Sequence, residues 1–438
     1  MRRATAPREP LPRVEPMPPS RMKAVPPSEQ RRGSEALEPA VAAGELLLQC
    51  CRPDVHSTDA DRMRRLASGD LDWASLLRAA ELGGVEPLLY ARLNELVAGG
   101  VPPAVRQRLR AAFRVNALRN LVLASELVRL LAILRAGEIR AIAFKGPTLA
   151  MRAYGDLALR AAGDLDVLVD ETDVRRAGAI LESLGYRPEL AHAGWEYHFV
   201  GPAGQPWVDL HQKLAPAYFP SPGSFEELWA ACEPVELGGT PVRAPNREQL
   251  LFILAVHFAK DCRERKERIS EVVDIAWLVR LPGLAWDRVL ALADARRARR
   301  LLLFALDAAH HLVGCGLPAQ VLDAIHADAG VTKLSTKVRA RLLDQARGDD
   351  DKLRYRTDVW YEDSRFYLAL REHPADRVRY LGAFAANHLR LWLTPSDRDR
   401  RFVALPRQLA GMYYLLRPIR LGLEWLHHRH FGRRSAVA

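Results

Sequence analysis

From Ala36 onward, apolar residues recur along the chain at intervals of three and four. The segments "LEPAVAAGELLLQCCR", "WASLLRAAELGG", "VEPLLYARL" and the long "VPPAVRQRLRAAFRVNALRNLVLASELVRLLAILRAG" each carry one apolar stripe, the signature of an amphipathic helix. Several of them end at glycine, as helices tend to. Residues 36–137 therefore read as a helical N-terminal region. After Gly137 the pattern shortens. "IRAIAF" (139–144) is a brief apolar run bounded by Gly137 and Lys145-Gly146, which predicts a strand. "PTLAMRAYG" opens with Pro147 at a helix-start position and predicts a short helix. "DLDVLVD" predicts a second strand. "TDVRRAGAILESLG" sets Val174, Ala177, Ile180 and Leu181 on one helical face, with Thr172 as a candidate N-cap and Gly185 as the stop. "WEYHFV" and "WVDLH" predict two further strands joined through "GPAGQP" as a hairpin. Residues 138–215 thus form a small α/β core that runs strand, helix, strand, helix, strand, strand.

Past Pro245 the helical period returns in "NREQLLFILAVHFAKDC", "RISEVVDIAWLVRL", "WDRVLALADARRARRLLLFALDAAHHLVG" and "PAQVLDAIHADAG". Residues 216–346 read as a helical region. A charged loop follows near 347–358, and 347–438 form a basic, helical C-terminal region. Residues 1–35 are rich in Pro and Arg and poor in large apolar side chains, which predicts a disordered tail. The fold class is α+β, mostly α, with a small mixed sheet embedded between helical regions. No repeat of fixed period interrupts this order.

Composition adds three constraints to the 438-residue chain. First, the formal net charge is +11. From Asp376 to the end, twelve arginines stand against four acids, a surplus of eight. Such a region favours anionic partners, whether a membrane face, a phosphorylated substrate or nucleic acid. Solvated arginine-rich helix faces are the simpler reading. No stretch interleaves aromatic and basic residues as a single-strand platform would, which sets nucleic acid low among partners. In "YYLLRPIRLGLEWLHHRHF", peripheral membrane contact competes with packing on the protein's own helices, and packing is favoured. His427, His428 and His430 are flanked by arginine with no partner ligand in view, so they read as an exposed tail. Second, the five cysteines (Cys50, Cys51, Cys232, Cys262, Cys315) include no CxxC pair and predict neither a disulfide framework nor a zinc site. Third, the N-terminus lacks an apolar signal core, and no run reaches the ~20 apolar residues of a membrane span. A reducing cytoplasm is the expected location.

The chemistry concentrates in the α/β core. Side chains two apart on a strand share a face. Asp164 and Asp166 therefore project together, while Leu165, Val167 and Val169 turn into a core. Two such carboxylates repel unless solvated or bridged by a cation. A hard divalent ion, Mg²⁺ with Mn²⁺ as the alternative, suits carboxylates combined with substrate phosphates. Asp209, between Val208 and Leu210 in "WVDLH", predicts a third carboxylate on a neighbouring strand. Three carboxylates so placed are able to hold two ions for an in-line phosphoryl or nucleotidyl transfer. Upstream, "FKGP" ends a strand and opens a helix. Gly146 allows close backbone approach to a phosphate, and Lys145 supplies a point charge. Arg160, in the loop before the aspartates, is a second candidate phosphate ligand. His211 shares the face of Asp209 and reads either as an orienting group or as a half-buried polar residue. His257 and Asp261 are spaced for a local hydrogen bond. Asp274, a polar residue on an apolar helix, either reaches the site or caps a neighbouring helix.

The stretches "FKGPTLAMRAYGDLALR", "GDLDVLV", "ESLGY", "VDLHQKL", "LLFILAVHFAKD", "VVDIAWLV" and "LPRQLAGMYYLLRP" together resemble an uncharacterised bacterial nucleotidyltransferase family. That family is part of the superfamily with the DNA polymerase β-type palm. The resemblance spans most of residues 46–420. It implies a nucleotidyltransferase palm in 138–215 and a nucleoside triphosphate (NTP) as substrate. It also implies metal binding by Asp164, Asp166 and Asp209, and a nucleotide-phosphate turn at Lys145 and Gly146, with Arg160 and Gly163 nearby. The turn here is Lys-Gly-Pro where the superfamily commonly has Gly-Ser. The expected reaction transfers a nucleoside monophosphate to a small-molecule, peptide or glycan acceptor. Three alternatives stay open: a phosphotransferase on the same core, a non-catalytic nucleotide-binding protein of a biosynthetic assembly, and a nucleic-acid enzyme using the basic C-terminal region.

Overall fold

The computed structural model describes residues 38–97, 99–189, 194–348, 364–393, 403, 405 and 407–431. The tail read over 1–35 lies outside the described residues, as do most of the loop near 347–358 and the side chains of His427, His428 and His430.

The first five helices are α1 (Pro39–Cys51), α2 (Ser57–Ser68), α3 (Trp73–Gly83), α4 (Glu86–Leu96) and α5 (Pro103–Ala136). Local chemistry fixes their ends. Proline occupies the first turn of α1, α4 and α5, where its missing N–H has no intrahelical partner to lose. The Asp72 side chain accepts from Ser75 N–H to start α3, and Gly84 closes that helix in the left-handed region. Helix α5 is 34 residues long, and its C-terminal half buries Leu123, Leu127, Leu130 and Leu134 against the sheet.

The sheet has the order β1 (Ala141–Ala143), β2 (Asp164–Val169), β5 (Trp207–His211), β4 (Glu196–Val200), β3 (Arg187–Pro188). Strand β2 runs parallel to β5, and the other pairs are antiparallel, so the sheet is mixed. Between β1 and β2 the chain forms a short helix, α6 (Gly146–Leu149), and a π-helical turn at Ala150–Tyr154. Helix α7 (Val174–Ser183) carries the crossover from β2 towards β3. Thr172 does not cap α7 as its sequence position predicts. Its hydroxyl and N–H both bond back to the Asp170 carboxylate, and Asp173 holds the cap position.

The two faces of the sheet differ. Leu165, Val167, Val169, Val208, Leu210 and Phe199 face α5 and α7 and form one core with them. On the opposite face, Ile142, Phe144 and Leu168 join Leu214, Leu228 and Ile253 in a smaller cluster. The same face carries Asp164, Asp166, Asp209, His211, Glu196 and His198, with Trp207 and Val200 towards its margin.

The chain continues through α8 (Phe225–Ala230) and a β6–β7 hairpin (Cys232–Leu237, Thr240–Pro245), turned by Gly238 and Gly239 at positive φ. Helices α9 (Arg247–Glu264), α10 (Ile269–Val279), α11 (Trp286–Ala295), α12 (Arg299–Val313), α13 (Ala319–Ala327) and α14 (Ala329–Ala346) follow. Their apolar faces merge with those of α1–α4 into one large core. Helices α15 (Ser364–Leu370) and α16 (Pro374–Leu393) and the helix Tyr413–Phe431 complete the described chain. Among the described residues, no helix is long and apolar enough to cross a membrane. The five cysteines are all free.

Candidate active site

The strand register brings the predicted carboxylates together. Asp166 on β2 lies directly opposite Asp209 on β5, and Asp164 lies opposite Trp207 one pleat away. On β4, His198 is opposite Asp209 and Glu196 is opposite His211. Alternation does the rest. Asp164-x-Asp166, Asp209-x-His211 and Glu196-x-His198 all project from the same face, because the intervening Leu165, Val167, Leu210 and Tyr197 turn into the other core or pack against it.

Within this group, one ligand atom from each of Asp166, Asp209 and His211 lies within 4.8 Å of the other two. His211 Nε2 is 3.2 Å from Asp166 Oδ1. The ring is 1% exposed and wedged between Phe144 and Trp195, so it is fully buried, not half-buried. Its Nδ1 has no hydrogen-bond partner and stands 3.7 Å from Glu196 Oε2. His198 Nδ1 donates to Asp209 Oδ1 at 2.7 Å.

Electrostatics record how crowded the acids are. Burial, with the charges of Asp166 and Asp209, pushes the Asp164 carboxyl up to about 6, against the pull of Lys145 and Arg160. Asp166 goes the other way. Burial would raise it, but Lys145, the bond to His211 and Arg160 hold it below the usual carboxylate range. Burial raises Glu196. Burial alone would lower His198, yet its bond to Asp209 and the neighbouring acids raise it. The natural relief for such a cluster is a divalent cation, and the donors present fit one.

Lys145 and Gly146 sit beside the carboxylates. Gly146 has φ +52°, and a Cβ there would meet the Asp164 carbonyl oxygen at 3.2 Å. Glycine is therefore what lets the turn press onto the strand that carries the aspartates. Gly163 is exposed, and a Cβ there would meet nothing within 4 Å. It leaves open space at the entrance to β2.

Arg160 and Asp274, singled out separately in the sequence, prove to be partners. The guanidinium donates Nε to Asp274 Oδ1 at 2.8 Å and Nη2 to Oδ2 at 3.0 Å, and the Tyr154 hydroxyl adds a bond of 2.7 Å to Oδ1. Asp274 thus braces the loop before β2. The same loop is pinned by Asn116 and Asn120 of α5, whose side-chain amides donate to the Arg160 carbonyl. His257 is buried and donates Nε2–H to the Leu214 carbonyl at 2.7 Å. Burial, reinforced by the charges of Lys145, Lys260 and His211, drives its pKa well below the ordinary value and keeps it neutral. Asp261, four residues on, pairs instead with Lys260 at 3.2 Å. Lys260 lies over the Trp195 ring at 5.1 Å, so α9 reaches the edge of the site.

Sequence reasoning missed Glu196, His198 and Lys260. The first two were visible as an alternating polar pair in "WEYHFV", but their partners depend on strand register. A cavity of about 600 Å³ opens at the carboxyl ends of β2 and β5, lined by Leu168, Asp170, Lys213 and Leu214 among others. A second, of about 1050 Å³, lies between α5 and the β6–β7 hairpin and includes none of the site residues.

Comparison with known proteins gives the following. The family described as "Uncharacterised nucleotidyltransferase" matches residues 69–314. No curated protein matches the chain. Among solved structures, the antibiotic-resistance factor ANT(2″)-Ia is similar at 18% identity, over 42% of this chain and 96% of its own, with a TM-score of 0.31. A nucleotidyltransferase-like protein from Paracoccidioides brasiliensis is similar at 16% identity, over 43% of this chain and 92% of its own, with a TM-score of 0.27.

Proposed function

The chain belongs to the uncharacterised nucleotidyltransferase family, and from that premise we propose that it transfers a nucleoside monophosphate from an NTP to an acceptor, with release of pyrophosphate. The observation that carries this reading is the direct register of Asp166 with Asp209, one pleat from Asp164, on a face where acids would otherwise repel. In this reading Asp164, Asp166 and Asp209 hold a divalent ion, Mg²⁺ or Mn²⁺. Bound there, such an ion neutralises phosphate charge and steadies the attacking and leaving oxygens.

The chain's own residues supply the remaining work. Lys145, whose charge acts on both Asp164 and Asp166, is placed to contact the triphosphate. Gly146 brings the backbone turn within reach of the same group. Arg160 is held by Asp274, itself steadied by the Tyr154 hydroxyl, which fixes a positive charge behind the carboxylates instead of leaving it free to grip phosphate. The bond from His198 engages Asp209 Oδ1, orienting the carboxylate that is nearest to hand for an acceptor proton. Gly163 keeps the approach clear. Buried and neutral, His257 supports the wall formed by Phe144 and Leu214 and does not touch substrate. The acceptor is a small molecule, peptide or glycan, and the cytoplasm is the proposed location.

The test is incubation of the purified protein with each labelled NTP and divalent metal in host lysate, followed by mass identification of the labelled product. A whole-nucleotide adduct that disappears with Asp164→Ala is expected. Unchanged triphosphate binding and turnover in that variant would overturn the reading. An adduct of phosphate mass alone would point to phosphoryl transfer on the same core.

A further inference from the structure

We propose that His211 is itself a metal ligand, oriented by Glu196, and that the centre takes a first-row transition dication in preference to Mg²⁺. This rests on the reading of the site as a metal-dependent transferase and goes beyond its three aspartates.

Three observations lead there. The ligand atoms that lie within 4.8 Å of one another come from two carboxylates and an imidazole, Asp166, Asp209 and His211, with Asp164 one pleat along β2. Nitrogen donors suit transition dications, whereas Mg²⁺ strongly prefers oxygen, so replacing one oxygen donor by an imidazole shifts selectivity.

Second, His211 is poorly explained as a structural residue. A buried imidazole ordinarily satisfies both nitrogens. This one is 1% exposed, has a single contact of 3.2 Å from Nε2 to Asp166, and leaves Nδ1 without a hydrogen-bond partner. Nε2 is the nitrogen on the side of Asp166, and Nδ1 the one on the side of Glu196.

Third, the outer layer is already built. Metal-bound histidines almost always donate their other N–H to a carboxylate, carbonyl or water. Glu196, directly opposite His211 in the strand register, places Oε2 3.7 Å from Nδ1. A shift of under an ångström closes that gap. The neighbouring pair repeats the logic, since His198 donates to Asp209 at 2.7 Å. Strand β4 therefore supplies, through Glu-x-His, one supporting partner for each of the two β5 donors in Asp-x-His. Glu196 is a positioning residue in this scheme, acting through His211.

The experiment titrates the metal-free full-length chain with Mn²⁺ and reads the bound ion by pulsed electron paramagnetic resonance, with Mg²⁺ as competitor. A directly coordinated nitrogen is expected in the wild-type spectrum and is lost in His211→Gln, with circular dichroism checking the fold of each variant. Mn²⁺ is expected to bind at least about tenfold more tightly than Mg²⁺, and Glu196→Gln to weaken Mn²⁺ by roughly tenfold. A wild-type spectrum with no nitrogen coupling would overturn the proposal without recourse to any variant, as would wild-type Mn²⁺ affinity in folded His211→Gln. Nucleotide transfer alongside an all-oxygen spectrum would sink this inference and leave the transferase reading standing. Nitrogen coupling in a protein that transfers nothing would support it while that reading failed.

Discussion

The two faces of the five-stranded sheet are made by the same residues' neighbours. On β2, Leu165, Val167 and Val169 are almost completely buried against α5 and α7, and Asp164 and Asp166 project the other way between them. On β5, Val208 and Leu210 alternate with Asp209 and His211. One face gains stability from apolar burial. The other gathers Asp164, Asp166, Asp209 and Glu196 where their charges oppose one another. The contrast teaches that a strand's period of two lets a fold carry a destabilising site one residue away from its core.

The sharpest break of this contrast exchanges adjacent residues. Leu165→Ala should lower unfolding stability by about 2–5 kcal/mol, as measured by denaturant titration. Asp166→Asn should move the midpoint far less and yet lower transfer activity by more than about 100-fold, the upper range for altered metal surroundings. Equal loss of stability in both variants would erase the distinction between the faces. Gly146→Ala comes next. It places a side chain at φ +52° and 3.2 Å from the Asp164 carbonyl, so a loss of about 1–3 kcal/mol is expected, with weakened triphosphate binding in a direct titration.

The smallest effect is the most diagnostic. In metal-free protein, burial and the neighbouring acids push the Asp164 carboxyl up to about 6, above the ordinary carboxylate range of about 4. The folded state thus holds a proton that the unfolded chain releases. The associated stability is fully present below about pH 4 and is lost as pH rises towards 6. Asp164→Asn removes that loss. Thermal unfolding in chelator should therefore find the variant more stable than wild type at pH 7, by roughly 1 kcal/mol after allowance for solvent screening, and indistinguishable at pH 4. Added divalent metal should close the gap at pH 7. A variant that is less stable at pH 7 would mean the acids do not oppose one another.

Much of the arrangement was legible along the chain. The aspartates of β2 announce themselves because Leu165, Val167 and Val169 mark the opposite face, and Asp209 is marked in the same way by Val208 and Leu210. Pairing was legible only in part. The "GPAGQP" turn joins β4 to β5 as the hairpin it predicts, but nothing local says that β2 runs parallel to β5, and the register that sets Glu196 opposite His211 and His198 opposite Asp209 is not written in the turn. The Arg160–Asp274 pair is separated by 114 positions, beyond any local pattern. Thr172 failed as a cap because the Asp170 carboxylate, two residues back, competes for the same hydroxyl. The β6–β7 hairpin corrects the reading of 216–346 as wholly helical: Gly238 and Gly239 turn Cys232–Leu237 back onto Thr240–Pro245, in a stretch otherwise dominated by helical stripes.

The tie from Arg160 and Tyr154 to Asp274 has a consequence for how the protein is able to evolve. Asp274 lies in the middle of α10, deep in the helical mass, while Arg160 stands four residues ahead of Asp164. The sheet that carries the carboxylates is consequently no detachable cassette. Transplanted alone to another scaffold, it would carry an orphaned, half-sunken guanidinium at the very doorstep of its acids, and α10 would be left with a naked carboxylate in oil. Recombination that splits the two segments should cost about 3–5 kcal/mol of stability, a pressure to keep the sheet and its helical surround together.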